Sequence, residues 1–180
     1  MVAKGRFRLA VFFAFCTVAG FYPYWGWHLL HGFHTEVNGV RIWVPYSYHP
    51  SSDFGGDRIV ALTRWHGLFA TPRDRVKGGS ILIGFVRPNQ ATVPLMTGPH
   101  PAEPYVERGE RKLTMAGRSG TCKEYAFDVA SSQDSLADKD TRTIYCWFGT
   151  DLRASFLGGP AAQRTFYEVI QSAELADGRR

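Results

Sequence analysis

Residues 143–173 read TIYCWFGTDLRASFLGGPAAQRTFYEVIQSA, and the change of period within them decides the fold class. Thr143–Phe148 places Ile144, Cys146 and Phe148 on one face, Gly149-Thr150-Asp151 supplies a turn, and Leu152–Leu157 presents Leu152, Ala154 and Phe156. A period of two is that of strands with one buried face. Gly158-Gly159-Pro160 then opens a helix, proline being suited to its first turn. Ala162, Phe166, Val169, Ile170 and Ala173 fall at i, i+4, i+7, i+8 and i+11, a single apolar stripe. Two antiparallel strands running into an amphipathic helix predict an α+β domain whose C-terminal helix lies on its sheet.

Upstream, Lys123–Val129 alternates, with Tyr125, Phe127 and Val129 expected on the inner face, and Ser131–Asp140 is a polar hairpin loop. Ile81–Val86 has the unbroken apolar character of a central strand buried on both faces, and Ile59–Arg64 is a further strand. Thr35–Val37 and Val40–Val44 flank Asn38-Gly39, the dipeptide that supplies the positive φ angles of a two-residue hairpin turn. Pro45 ends the second of these strands, and residues 46–57 read as a loop. Arg87–Lys112 contains Pro88, Pro94, Pro99, Pro101 and Pro104, so it is expected to be a long functional or partner-covered loop before a short strand, Leu113–Met115. The sum is a mostly antiparallel sheet of about seven strands over residues 35–175, with a flexible tail at 176–180. In architecture alone this resembles small lumenal and periplasmic α+β domains, and a likeness of fold carries no function.

Ahead of that domain, residues 1–8 carry Lys4, Arg6 and Arg8 and no acid, and an apolar run of 14 residues follows from Leu9 to Tyr22. A basic head before an apolar rod is the pattern of a segment inserted with its N-terminus in the cytoplasm. Continued to Leu30 the run has 22 residues, enough at ~1.5 Å each to cross a ~30 Å hydrocarbon core. Tyr22, Tyr24, Trp25 and Trp27 would then form an interfacial belt, and residues 31–34 a juxtamembrane segment. The alternative is a cleaved signal peptide, with Thr17 and Ala19 as the small residues before the cut, which would leave an aromatic terminus in water. The uncleaved signal-anchor is favoured. It places the protein in the inner (cytoplasmic) membrane as a single-pass protein, its domain periplasmic or otherwise extracytoplasmic.

Three of the 21 basic residues lie in that head, leaving 18 against 16 acidic residues and a net of +2 for the rest. The chain's basicity is therefore partly a targeting feature, and no basic run alternating with aromatics provides a phosphate-tracking surface, so nucleic acid is not expected as a partner. About 145 residues remain for one domain of ordinary size. Arg73, Arg75 and Lys77, around Asp74, form one local basic cluster that reads as a solvated loop or a contact for lipid head groups or an acidic partner.

Outside the apolar run there are two cysteines, Cys122 and Cys146, and an oxidising compartment favours a disulfide between them. Were Cys122 on one regular strand with Tyr125–Val129 it would face away from Phe127, so a strand start or bulge is expected there. Cys16 is not a lipoprotein cysteine, since Phe15 is too large for that cleavage site.

No catalytic set emerges. His28, His31 and His34 are spaced for polar residues at a membrane exit more than for metal, haem or pigment ligation. His66 lacks an identifiable carboxylate or nucleophile beside it, and Gly117-Arg118-Ser119-Gly120 lacks the spacing of a nucleophile elbow. Asp134, Asp138 and Asp140 depart from a calcium loop in spacing and in the missing terminal Glu. Neither metal nor cofactor is expected. These features favour a non-enzymatic accessory or assembly subunit of a membrane protein complex, in contact with other proteins of that complex through one membrane helix and the sheet domain. Two rivals are an anchored or secreted module for a ligand or glycan, motivated by Trp43, Tyr46, Tyr48 and Trp65, and a hydrolase using Ser119 and His66.

Overall fold

The computed structural model describes residues 2–21, 26–51, 58–66, 69–86, 105–127 and 140–176. A helix α1 (Val2–Phe21) and a single helical turn α2 (Trp27–His31) precede the hairpin β1 (His34–Val37) and β2 (Val40–Trp43). The chain continues through β3 (Tyr48–Ser51), β4 (Ile59–Arg64), a short helix α3 (Pro72–Gly78) and β5 (Ser80–Phe85). It ends with β6 (Tyr105–Met115), β7 (Arg118–Phe127), β8 (Arg142–Phe148), β9 (Leu152–Gly158), α4 (Pro160–Ser172) and a two-residue strand β10 (Glu174–Leu175). The fold is α+β. A seven-stranded sheet of order β3-β4-β5-β9-β8-β7-β6 is antiparallel at every pairing, and α4 lies across one face of it.

The stripe on α4 explains that docking. Ala162, Phe166, Val169 and Ile170 are buried, and the Phe166 ring stacks on Phe156 of β9 at a centroid distance of 5.4 Å. Around them lie Ile81 and Ile83 of β5, Ile144 and Phe148 of β8, and Leu152 of β9, all fully buried in one core. The Asn38-Gly39 turn has positive φ at both residues (47° and 79°), as its sequence demands. Its hairpin does not join the large sheet. It pairs instead with β10 in a separate sheet of order β1-β2-β10, and contributes Val37, Val40 and Ile42 to the same core.

Four expectations are corrected. First, β3 runs within the stretch read as a loop: His49-Pro50-Ser51 lacks alternation, but β3 is an edge strand, where proline is tolerated. Second, β6 begins at Tyr105, immediately after the last proline, and pairs with β7 through Met115 across a bulge at Glu107/Gly109. Its Val-Glu-Arg-Gly-Glu-Arg-Lys run is exposed and charged, which protects a sheet edge and also hides the strand from a search for apolar periodicity. Third, Arg73, Arg75 and Lys77 are helical: Pro72 opens α3, and Thr71 and Asp74 exchange hydrogen bonds in a capping box. Fourth, Cys122 lies mid-strand on β7 in unbroken register, opposite Cys146, and forms the disulfide with it (Cα–Cα 4.0 Å). The core face of β7 therefore carries Cys122 and Ala126. Tyr125 and Phe127 take the opposite face, where the Tyr125 ring meets Tyr145 at 5.9 Å.

The anchor expected over residues 9–30 is described in two parts. α1 is described to Phe21 and α2 from Trp27, with Pro23 in the sequence between them. Among the described residues no helix is long and apolar enough to cross a membrane. Trp27 and His28 belong to the domain: His28 is buried, and Trp27 packs against the core. Tyr22, Tyr24 and Trp25 of the proposed belt lie outside the described residues, as do Asp134, Asp138 and residues 87–104.

Candidate functional site

Two features stand apart from the core. One is the surface of α1. Leu9, Val11, Phe12, Phe13 and Phe15 are each more than half exposed, and every described side chain from Arg8 to Thr17 is exposed. Consecutive residues on a helix step 100° around it, so this apolar surface is on all sides, and no described residue of the domain covers it.

The other is a cleft of about 370 Å³ where the end of β4 meets α3, built by Arg64, Trp65 and His66 with Arg75, His49 and Ser80. Local sequence explains its frame. Thr63 of β4 pairs with Ser80 of β5, while Trp65 N–H donates to the Ser47 carbonyl (3.0 Å) and holds the chain leaving β4 against the start of β3. α3 is closed onto the same corner by Tyr48, whose hydroxyl donates to the Gly78 carbonyl at 2.9 Å. A Cβ at that position would sit 2.0 Å from the His66 ring, so the imidazole occupies the space a side chain would take.

The cleft is electropositive. Among the described residues the acid near it is Asp74, engaged by the Thr71 backbone N–H (3.0 Å) and hydroxyl (2.7 Å), and those hydrogen bonds hold its carboxyl below the usual carboxylate value. Arg64 and Arg75 form no ion pair among the described residues. Burial, and then the charges of Arg64 and Arg75, hold His66 below the ordinary histidine value, with Asp74 opposing. His49 is lowered by burial and then by His28, and its Nδ1 is buried without a hydrogen-bond partner. Two imidazoles and two guanidiniums thus share one corner.

The aromatic group inferred from sequence is dispersed. Trp65 lines the cleft, Tyr46 is exposed, Trp43 packs against the core, and Tyr48 is buried in it. Of the basic cluster, Arg75 enters the cleft while Arg73 and Lys77 do not line it. The convergence of Trp65 with Arg75 joins two groups that the sequence kept apart, and the signal that could have found it is the Thr71-Pro72-Arg73-Asp74 capping pattern that makes α3 a helix. Ser119 and His66 are not brought together. Four strand spacings separate β7 from β4, about 19 Å at ~4.8 Å each. Ser119 lines a separate open groove with Lys112, Thr114 and Gln171, among whose described lining there is no histidine or carboxylate. The exit-segment histidines have structural partners: His28 lies against the Gly32 and Tyr48 carbonyls, His31 against that of Trp27, and His34 beside Arg41. Among the described residues no group of three or more His, Cys, Asp or Glu is placed to hold a metal. The chain matches no protein-family model and no curated protein.

Proposed function

We propose that this chain is a non-enzymatic accessory or assembly subunit of a membrane protein complex, anchored by its N-terminal segment and presenting the sheet domain on the extracytoplasmic side. The observation that carries this reading is α1, apolar on every side and exposed on every side from Leu9 to Thr17. A helix apolar all round has no stable place in water and belongs in a core or a bilayer. Its apolar part from Leu9 to Phe21 rises about 20 Å, against a hydrocarbon core of ~30 Å. Lys4, Arg6 and Arg8 at its start fit a cytoplasmic N-terminus. The cystine fits an oxidising compartment for the domain.

Purification of the full chain in mild detergent from its native membrane tests the proposal. A defined complex that dissociates when Phe12 and Phe15 are changed to Ala is the expected result, and recovery of a lone monomer overturns it. Topology has its own test. A reporter active only in the cytoplasm, fused after Arg180, should be silent, and a bright signal overturns the orientation.

A further inference from the structure

We infer that the cleft between β4 and α3 is a binding site for a phosphomonoester-class anion, held by Arg64 and Arg75 with His66 between them and with the organic part of the ligand against Trp65. Arg64 ends β4 and Arg75 sits on α3, so the two cations reach the cleft from different elements, each fixed by the frame around Ser47, Tyr48 and Gly78. Placing two guanidiniums at one cavity costs repulsion, which the single negative charge of the capping Asp74 offsets only in part. An anion removes that repulsion. Planar guanidinium forks match phosphate oxygens, and charge-assisted hydrogen bonds to them are the strong kind.

Size and composition narrow the class. The cavity of about 370 Å³ exceeds what an inorganic oxyanion needs and falls in the range of small-molecule sites. Its remaining wall is Trp65, Val76 and Leu157, an apolar surface for the body of an ester. Thr63 and Ser80, opposite one another in register, also line it, and a hydroxyl can donate to further oxygens. The buried, unpartnered Nδ1 of His49 belongs to the same lining. A phosphomonoester is offered either by a soluble small molecule or by a lipid head group, and both present the same oxygens.

The test uses the full chain in neutral detergent, with the His66 ring signals followed by NMR and two probes: phenyl phosphate in solution, and phosphatidic acid dispersed in the same micelles. Saturable shifts at His66 are expected with at least one probe. Saturation by phenyl phosphate assigns a soluble ester, and saturation by phosphatidic acid alone assigns a head group. Arg64→Gln and Arg75→Gln should each weaken binding roughly tenfold or more, with Arg75→Lys recovering part of it. Arg164→Gln, on the far side of α4, should leave binding unchanged. Unchanged His66 signals with both probes overturn the inference, as does equal binding by the parent and both Gln variants. The dispersion of the NMR spectrum shows that each variant is folded.

Discussion

The imidazole Nε2 of His28 lies 3.1 Å from the carbonyl oxygen of Tyr48, and Nδ1 lies 3.2 Å from that of Gly32. A ring nitrogen that carries a proton donates to the carbonyl beside it. His28 is the point at which the segment after α1 is fastened to the domain, and with Trp27 it ties α2 to the core. His28→Ala removes a buried hydrogen bond and leaves carbonyls without a partner, at a cost of roughly 1–3 kcal/mol. Amide exchange in α2 should accelerate and the melting temperature should fall. If both are unchanged, the domain does not depend on this fastening.

Tyr48 sits one step further along the same path, and burial pushes its phenol up to about 12, Arg64 opposing. In the unfolded chain the group ionises near 10, so the sign is fixed. Stabilisation from the protonated phenol is fully present below pH 10 and is lost as pH rises toward 12. The two-unit difference is worth about 3 kcal/mol across that window. Alkaline unfolding should therefore begin above pH 10, and Tyr48→Phe should flatten the loss while costing stability at neutral pH through the orphaned Gly78 carbonyl. A parent protein whose stability does not change between pH 9 and 12 would contradict the burial of this hydroxyl.

The large sheet and its covering helix were legible wherever one residue in two is apolar, as in β8 and β9, and wherever the helical stripe is unbroken, as in α4. Three kinds of signal escaped. β6 is an edge strand whose exposed face is charged, so burial leaves no pattern in Glu107–Lys112. On β7, Tyr125 and Phe127 look like core positions, but the disulfide partner Cys146 fixes Cys122 on the helix side and turns those rings to the other face. The cleft depended on contacts between residues far apart in the chain, His66 on Gly78 and Tyr48 on Gly78, and no local period reports such pairs. Its capping box was local and readable.

Cys122 and Cys146 tie adjacent strands at matched register, closing a loop of separation 24. On the chain-entropy account, closure of such a loop stabilises the fold by about 3.5 kcal/mol. Protein from its native compartment should be lighter by two hydrogens than the reduced chain, and Cys146→Ser should melt at lower temperature. Free thiols at both positions would remove the compartment argument for the domain's location.

Phe166 carries the contact between α4 and the sheet. It is fully buried, stacked on Phe156 at 5.4 Å and next to the Tyr167 ring, within the core formed by Ile81, Ile144, Phe148 and Leu152. Truncation to Ala removes a ring from a close-packed interior and typically costs 3–5 kcal/mol, against a total stability of ~5–15 kcal/mol for an ordinary domain. Phe166→Ala should thus lower the melting temperature severely. The polar face of α4 gives the contrast, and it is graded. Among the described residues Arg164 pairs with exposed Glu168 at 3.0 Å, an i, i+4 surface pair worth a few tenths of a kcal/mol, so Arg164→Ala should change little. Gln163 instead donates to the Glu124 carboxylate of β7 at 2.8 Å in a half-buried setting, and Glu124 also faces Arg142. Gln163→Ala should then cost about 1–2 kcal/mol. The expected order of melting temperatures is Arg164→Ala above Gln163→Ala above Phe166→Ala. If Phe166→Ala melts like the parent but loses its partner proteins in the mild-detergent purification, the stripe is an interface and α4 does not cover the sheet in solution.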